Sequence, residues 1–384
     1  MKRTAPSFVS QGMTTRSGPR PLVFFAHHQG RGHANRIMAI AQHIPENRPL
    51  VVLTAKPSQF DAISRDAKIV RLPDMIGAPS HSAALHDQPT PSVMHCVPLG
   101  VPEVREHMGI IAETLRHVDP ALFVIDVSAE IALLARIMSV PAITIRMHGA
   151  RSDAGHLAGY EASVAMLAPF DEALEQSDYP ERLRARTFYT GGLCTTKDAI
   201  EAKQKARERL DLDPDRSVTL VIAGGGGSGT PYAPLTVAAR AEPDALWLVA
   251  GPVHREGHET DFGNLRELGW IDNLTAYLCA ADRVVASAGD NTVHEIARAR
   301  KPFLCIPEWR YFDEQRAKAR ELERLSAAVT CETWPASIPE WQDVLARTDA
   351  LDTDKLAALH DEGAARNAAR WLEAQANRLW ADQL

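Results

Sequence analysis

The chain lacks most of the features that would commit it to a special environment. Its 384 residues hold only five cysteines, Cys96, Cys194, Cys279, Cys305 and Cys331. They are odd in number, widely spaced and partly inside apolar runs, which excludes a disulfide framework and points to reduced thiols in a cytoplasmic compartment. No zinc-ligand spacing is present. His254 and His258 stand four apart, but Gly257 interrupts any helix between them and no third ligand accompanies them. Met1–Arg20 carries Lys2, Arg3, Arg16 and Arg20 but no apolar core, so it is neither a secretory signal nor a membrane span and is expected to be a disordered tail. Excess basic charge is missing too. A formal net charge of -7, with no basic run interleaved with aromatics, excludes a general nucleic-acid binder. No repeat of solenoid period appears. What remains is ordinary for a protein with two separate cores: 45% hydrophobic and 24% charged residues.

Glycine is concentrated where chemistry is expected. Leu22–Ala26 reads as a buried strand and runs into His27-His28-Gln29-Gly30-Arg31-Gly32-His33-Ala34-Asn35-Arg36, after which Ile37, Ile40, Ala41 and Ile44 mark one face of a helix. Asn35 stands where a dinucleotide fingerprint needs its third glycine, and no Gly-Lys-Ser/Thr follows, so neither a dinucleotide turn nor a P-loop is supported. Ser217–Ile222 is a second β-branched strand, entering Ala223 to Gly229, a loop of exposed amides suited to an anion. The third strand-turn-helix is Arg283–Ala286, then Ser287 to Thr292, then Asn291–Arg300 with Val293, Ile296 and Ala297 on one face. There Gly289 permits close backbone approach, while Asn291 and Thr292 sit where a helix N-terminus holds a diphosphate. Glu295 is either a carboxylate favoured by the helix dipole or an acceptor for ribose hydroxyls. Asp126 ends the strand Ala121–Ile125, at the edge where open α/β sheets place ligands, or else caps the next helix.

Gly289-x-x-Thr292-x-x-Glu295, Lys301-Pro302, Asp313 and Gln315, in that order and spacing, resemble the donor signature of GT-B glycosyltransferases. The likeness is greatest to the peptidoglycan N-acetylglucosaminyltransferase group and its UDP-glycosyltransferase relatives. Gly30-x-Gly32-His33-x-x-Arg36 is similar to the N-terminal motif of the same enzymes. The resemblance implies an α/β fold of two Rossmann-like domains facing across a cleft. It also implies a nucleotide-sugar co-substrate, with no separate cofactor and no metal. It gives His33 the part of base for an acceptor hydroxyl and Asp126 that of its orienting partner. Gly224, Gly225, Gly226, Ala288, Gly289, Asn291 and Thr292 would border the diphosphate. Backbone at Ile271 would meet the base, Glu295 the ribose, and Asp313 and Gln315 the sugar. Two residues depart from the pattern: Asp290 puts a carboxylate in the phosphate turn, where it is expected to bond its own backbone, and Glu314 intervenes before Gln315.

The domains follow from the two glycine turns: a tail over 1–20, an acceptor-side domain over 21–192, a linker over 193–216 with a charged helix from Lys197 to Leu210, a nucleotide-sugar domain over 217–360, and a final helical segment over 361–384 that such proteins return to the first domain. Gly30, Gly32, Arg36, Arg146 and His148 are acceptor-side candidates, and Arg151, Asp153 and His156 follow the same strand as the last two. The expected activity is transfer of a sugar, with inversion, from a UDP-linked donor to a hydroxyl of a small-molecule or lipid-linked acceptor. Such a protein would be cytoplasmic, without a transmembrane segment but compatible with peripheral membrane association. A nucleotide-sugar hydrolase of the same fold and a non-catalytic nucleotide-sugar binder are the alternatives.

Overall fold

The computed structural model describes residues 18–28, 30–74, 82–95, 97–196, 198–224, 227, 229–255, 257 and 260–381. Most of the expected tail, Cys96, His258 and two of the loop glycines, Gly225 and Gly226, lie outside these described residues.

The first domain is built on seven strands, β1 (Leu22–Ala26), β2 (Leu50–Thr54), β3 (Lys68–Arg71), β4 (Leu122–Ile125), β5 (Ala142–Ile145), β6 (Ala165–Ala168) and β7 (Thr187–Tyr189). They pair in the order β3-β2-β1-β4-β5-β6-β7, every pair parallel. Leu22-Val23-Phe24-Phe25-Ala26 is apolar throughout because both of its faces are covered. Leu22 and Phe24 pack under the helix Gly32–Ala41, and Val23 and Phe25 under the helices Pro102–Val118 and Ala129–Ile137.

The second domain repeats the plan. Its main strands are β8 (Val218–Ile222), β10 (Leu246–Ala250), β12 (Leu265–Gly269), β13 (Arg283–Ala286), β14 (Phe303–Cys305) and β15 (Val329–Thr330), while β9 (Thr230–Pro231) and β11 (Val253–His254) pair separately. The main sheet is parallel, in the order β12-β10-β8-β13-β14-β15. In each sheet the winding reverses once beside the first strand, between β1 and β4 and between β8 and β13. Such a reversal opens a crevice at the carboxyl ends of the strands.

The segment between the domains begins in the first core, with Leu193, and joins the second from its helix on. Its helix, Lys203–Arg209, is shorter than the sequence suggests, and Ala206 and Leu212 are buried with Val218 and Leu220. Arg207 donates to the Ala280 carbonyl at 3.0 Å and to Asp282 at 2.6 Å. The last helix, Ala364–Leu379, returns to the first domain and buries Ala364, Ala368, Ala369, Leu372 and Ala376 beside the helix Gly32–Ala41. Arg48 holds Glu373 through Nε at 2.9 Å and Nη2 at 3.0 Å, and Trp380 Nε1 donates to the Ala121 carbonyl at 3.0 Å. No helix among the described residues is long and apolar enough to cross a membrane.

Leu372 has no solvent exposure in this seam. Leu372→Ala should therefore lower stability by about 2–5 kcal/mol through lost burial and the cavity left behind. Urea titration measures this, and a loss below about 1 kcal/mol, far short of that range, would mean that the helix does not anchor the first domain.

Candidate active site

His33 sits in the first turn of the helix Gly32–Ala41, reached through Gly30 with a φ of 77°. Its Nδ1 donates to Asp126 Oδ2 at 2.9 Å, which leaves Nε2 as the basic nitrogen. Asp126 is 1% exposed. Burial alone would raise its pKa, but the charges of His33 and Arg36 and the hydrogen bond from His33 hold it well below the usual carboxylate range. Asp126 is not the cap of the following helix. Ser128 has that role, accepting from the Ile131 amide at 3.3 Å, and Val127 turns the chain between them with a φ of 58°. His27 lies against His33 with ring centroids 5.5 Å apart. Burial, then its histidine neighbours, push it down to about 3, so it stays neutral.

On the opposite side, β13 leads through Ala288, which is buried, to Gly289, the N-cap of the helix Asp290–Ala299. No side chain caps this helix, and its first internal bond runs from the Val293 amide to the Gly289 carbonyl at 3.0 Å. The amides of Asp290, Asn291 and Thr292 precede that bond and point out of the helix end, an anion-binding arrangement. Gln315 is buried beside this turn, its Oε1 accepting from the Glu308 amide at 2.8 Å. A β-carbon added at Gly289 would stand 4.0 Å from Gln315 Nε2 and from Thr292 Oγ1. Gly224 follows β8 across the crevice with open space around it, and Ile271 is half-buried against the core. Glu295 is raised from 4.5 to about 7, chiefly by burial; Arg298 opposes the shift and Asp198 adds to it.

The two sides touch. A β-carbon at Gly32 would lie 3.6 Å from Asn291 Nδ2, ordinary contact distance, so the His33 loop faces the turn at Gly289. One turn further along, Arg36 is buried, with Nη1 donating to Met147 Sδ at 3.0 Å and Nη2 3.7 Å from Asp290 Oδ2. Asp290 does not fold back on its own backbone. It pairs with Lys318, itself buried, and with Arg36, because two cations at the domain boundary outcompete a local amide. Burial and the neighbouring Arg36 push the Lys318 ammonium well below its ordinary value.

Three expected positions have other surroundings. Arg146 is turned into the interior, donating to Glu175 at 2.7 Å and stacking over Tyr179 at 4.2 Å. His148 is fully buried, its Nε2 donating to the Leu174 carbonyl at 2.8 Å, and burial keeps it neutral. Asp313 has a φ of 54° and sends its carboxylate towards Arg316 at 3.6 Å and Arg320 at 3.4 Å of the following helix. Glu314 instead reaches across to the first domain, where Arg151 Nη2 donates to it at 2.9 Å.

A cluster not assembled from the sequence lies nearby. Asp153 accepts from His95 Nε2 at 2.6 Å and from His156 Nδ1 at 2.5 Å, and both rings pack on Phe312, which belongs to the second domain. Ligand atoms of His95, Asp153 and His156 lie within 4.8 Å of one another, close enough to hold one metal ion. Only their separation in the chain hid this, since the spacing of Asp153 and His156 was visible.

Residues 241–358 match the glycosyltransferase family 28 C-terminal domain. One curated relative is the UDP-N-acetylglucosamine–N-acetylmuramyl-(pentapeptide) pyrophosphoryl-undecaprenol N-acetylglucosamine transferase of Tropheryma whipplei. It is 30% identical over 128 residues, which is 31% of this chain and 35% of that protein. The match thus spans about a third of the relative's length. Among solved structures, a UDP-glucosyltransferase from Polygonum tinctorium superposes with a TM-score of 0.67 at 12% identity, covering 94% of this chain and all of that one. MurG of Acinetobacter baumannii gives 0.62 at 14%, over 93% and 100%. The protein has the GT-B fold and resembles the peptidoglycan N-acetylglucosaminyltransferase and UDP-glycosyltransferase group.

Because Glu295 binds its proton more tightly in the folded chain than its ordinary 4.5 allows, stability should fall as pH rises from about 4.5 to about 7 and level off above. Glu295→Gln should lack that share of the decline. Urea midpoints at the two ends of the range check it, and identical pH profiles for both proteins would show Glu295 to be unperturbed.

Proposed function

We propose that the protein transfers a sugar from a nucleoside diphosphate donor to an acceptor hydroxyl, with inversion. The observation that carries this reading is the placement of the His33–Asp126 pair directly across the Gly32–Asn291 contact from an uncapped helix N-terminus. An imidazole base and an anion site on facing sides of one cleft are what a glycosyl displacement needs. The acceptor oxygen forms a bond to the anomeric carbon while its proton passes to His33 Nε2. The bond from that carbon to the phosphate oxygen breaks, and its electron pair stays with the diphosphate. A single displacement inverts the anomeric centre.

Asp126 fixes the His33 tautomer and stabilises the imidazolium. The amides of Asp290, Asn291 and Thr292 receive the charge developing on the leaving group, with no divalent cation assigned to that task. Glu295 accepts from the ribose hydroxyls, and Gln315 meets the donor near Gly289. A UDP donor is the first choice, since the curated relative and the solved structures include enzymes named for UDP-sugars. The sugar is to be found by a melting-temperature and turnover screen over UDP-, TDP- and GDP-sugars, because a ligand of the native state raises the transition.

His33→Ala should lower single-turnover rate by on the order of 10²–10⁴ with nucleotide affinity nearly intact. Asp126→Asn should reproduce the loss, and the double variant should be no worse than either, because the two act as one unit. A harmless Asp126→Asn, or losses that multiply, would dissolve the pair. Turnover should also survive excess EDTA. Activity abolished by chelation and restored by Mg²⁺ or Mn²⁺ would transfer leaving-group stabilisation from the helix end to a metal.

A further inference from the structure

We propose that Arg36 is a ligand of the donor diphosphate, held ready between Met147 and Asp290 and released onto the phosphate oxygens when the donor binds. This role rests on the donor site of the proposed function. It extends that site across the domain boundary to a residue of the first domain.

Arg36 is a buried cation with few hydrogen-bond partners. Arg36 is 4% exposed, yet its polar contacts are a thioether at 3.0 Å and a carboxylate whose nearest oxygen is 3.7 Å away, beyond hydrogen-bond reach. A guanidinium has five N–H donors in a planar fork suited to phosphate, and leaving them unmade in a buried site is costly. Arg36 and Lys318 flank the carboxylate of Asp290, beside an uncapped helix N-terminus that adds positive potential. Asp290 carries the first of the free amides on its own backbone, so the guanidinium facing its side chain stands next to the place where an anion would dock.

Lys318 acts through Asp290. By holding that carboxylate it keeps the acid away from the amides, where a negative charge would repel the phosphate, and leaves Arg36 only a loose competitor to abandon. The same guanidinium lowers the pKa of Asp126 and of His294, so its field reaches both the base and the donor helix. A cation here neutralises the departing diphosphate from the acceptor side of the cleft.

Calorimetric titration of UDP and UMP into the full-length protein and its variants tests this. Arg36→Gln should weaken UDP by roughly ten- to a hundredfold, the range for hydrogen bonds to charged groups, while UMP changes little. Arg36→Lys should recover part of the loss. Asp290→Asn should strengthen UDP several-fold even as the melting temperature falls, since Lys318 then lies buried without its partner. If Arg36 serves only to tie the domains, Arg36→Gln and Asp290→Asn will both lower the melting temperature and shift UDP and UMP in equal proportion, and the proposal is overturned. Wild-type protein that binds none of UDP, TDP and GDP would instead remove the donor site and this role together.

Discussion

Parallel sheets can deliver chemistry only at the carboxyl ends of their strands, and everything in this cleft depends on two such ends being brought face to face. Each sheet reverses its winding beside its first strand, so the crevices between β1 and β4 and between β8 and β13 are the places where loops leave the sheet without covering each other. The first crevice gathers His33 and Asp126, which are 93 residues apart in the chain. The second exposes the amides of Asp290 to Thr292. The two crevices meet where Gly32 faces the side chain of Asn291. What fixes the alignment is the last helix, whose apolar stripe lies on the helix bearing His33.

Burial gives the polar groups their character. Asp126 stays ionised in a dry site because His33 and Arg36 oppose the cost of desolvation. Glu295, with weaker support from Arg298, is pushed up to about 7. Two carboxyls of similar intrinsic acidity are thereby separated, one held low beside His33 and one raised to about 7 beside the linker. His148 and His294 carry no such support, and burial keeps both neutral, which spares the domain boundary two more cations beside Arg36 and Lys318.

The sequence made the frame legible because the frame is made of short-range signals. Apolar runs leading into glycine-bearing turns located β1, β8 and β13, and the spacing of Val293, Ile296 and Ala297 located the helix Asp290–Ala299 to within one residue. His33 and Asp126 were legible as strand-end residues. The positions whose surroundings the sequence did not show are those whose direction is set by distant partners. Arg146 and His148 follow a strand and looked available, but Glu175 and the Leu174 carbonyl take them inward. Asp313 has the right place in the motif, yet the left-handed turn at Phe312 and Asp313 rotates its carboxylate towards Arg316 and Arg320 and presents Glu314 to the other domain. No periodicity encodes such a rotation. Asp290 with Lys318, and His95 with Asp153, are likewise pairs that only the folded chain assembles.

The Phe312 turn ties the two domains together. Its carbonyl accepts from the Ala150 amide at 2.6 Å, and a β-carbon at Gly149 would collide with that same carbonyl, so the first domain grips the backbone three residues before Gln315. Arg151 adds a second hold through Glu314, and the His95 and His156 rings close on Phe312 from the side. A left-handed conformation at two successive non-glycine residues is unfavourable by itself and persists only where surrounding contacts impose it. The geometry at Gly289 and Gln315 is therefore conditional on the first domain being in place. Linkage then requires the converse: any ligand that prefers this geometry must favour the contact between the domains by the same free energy.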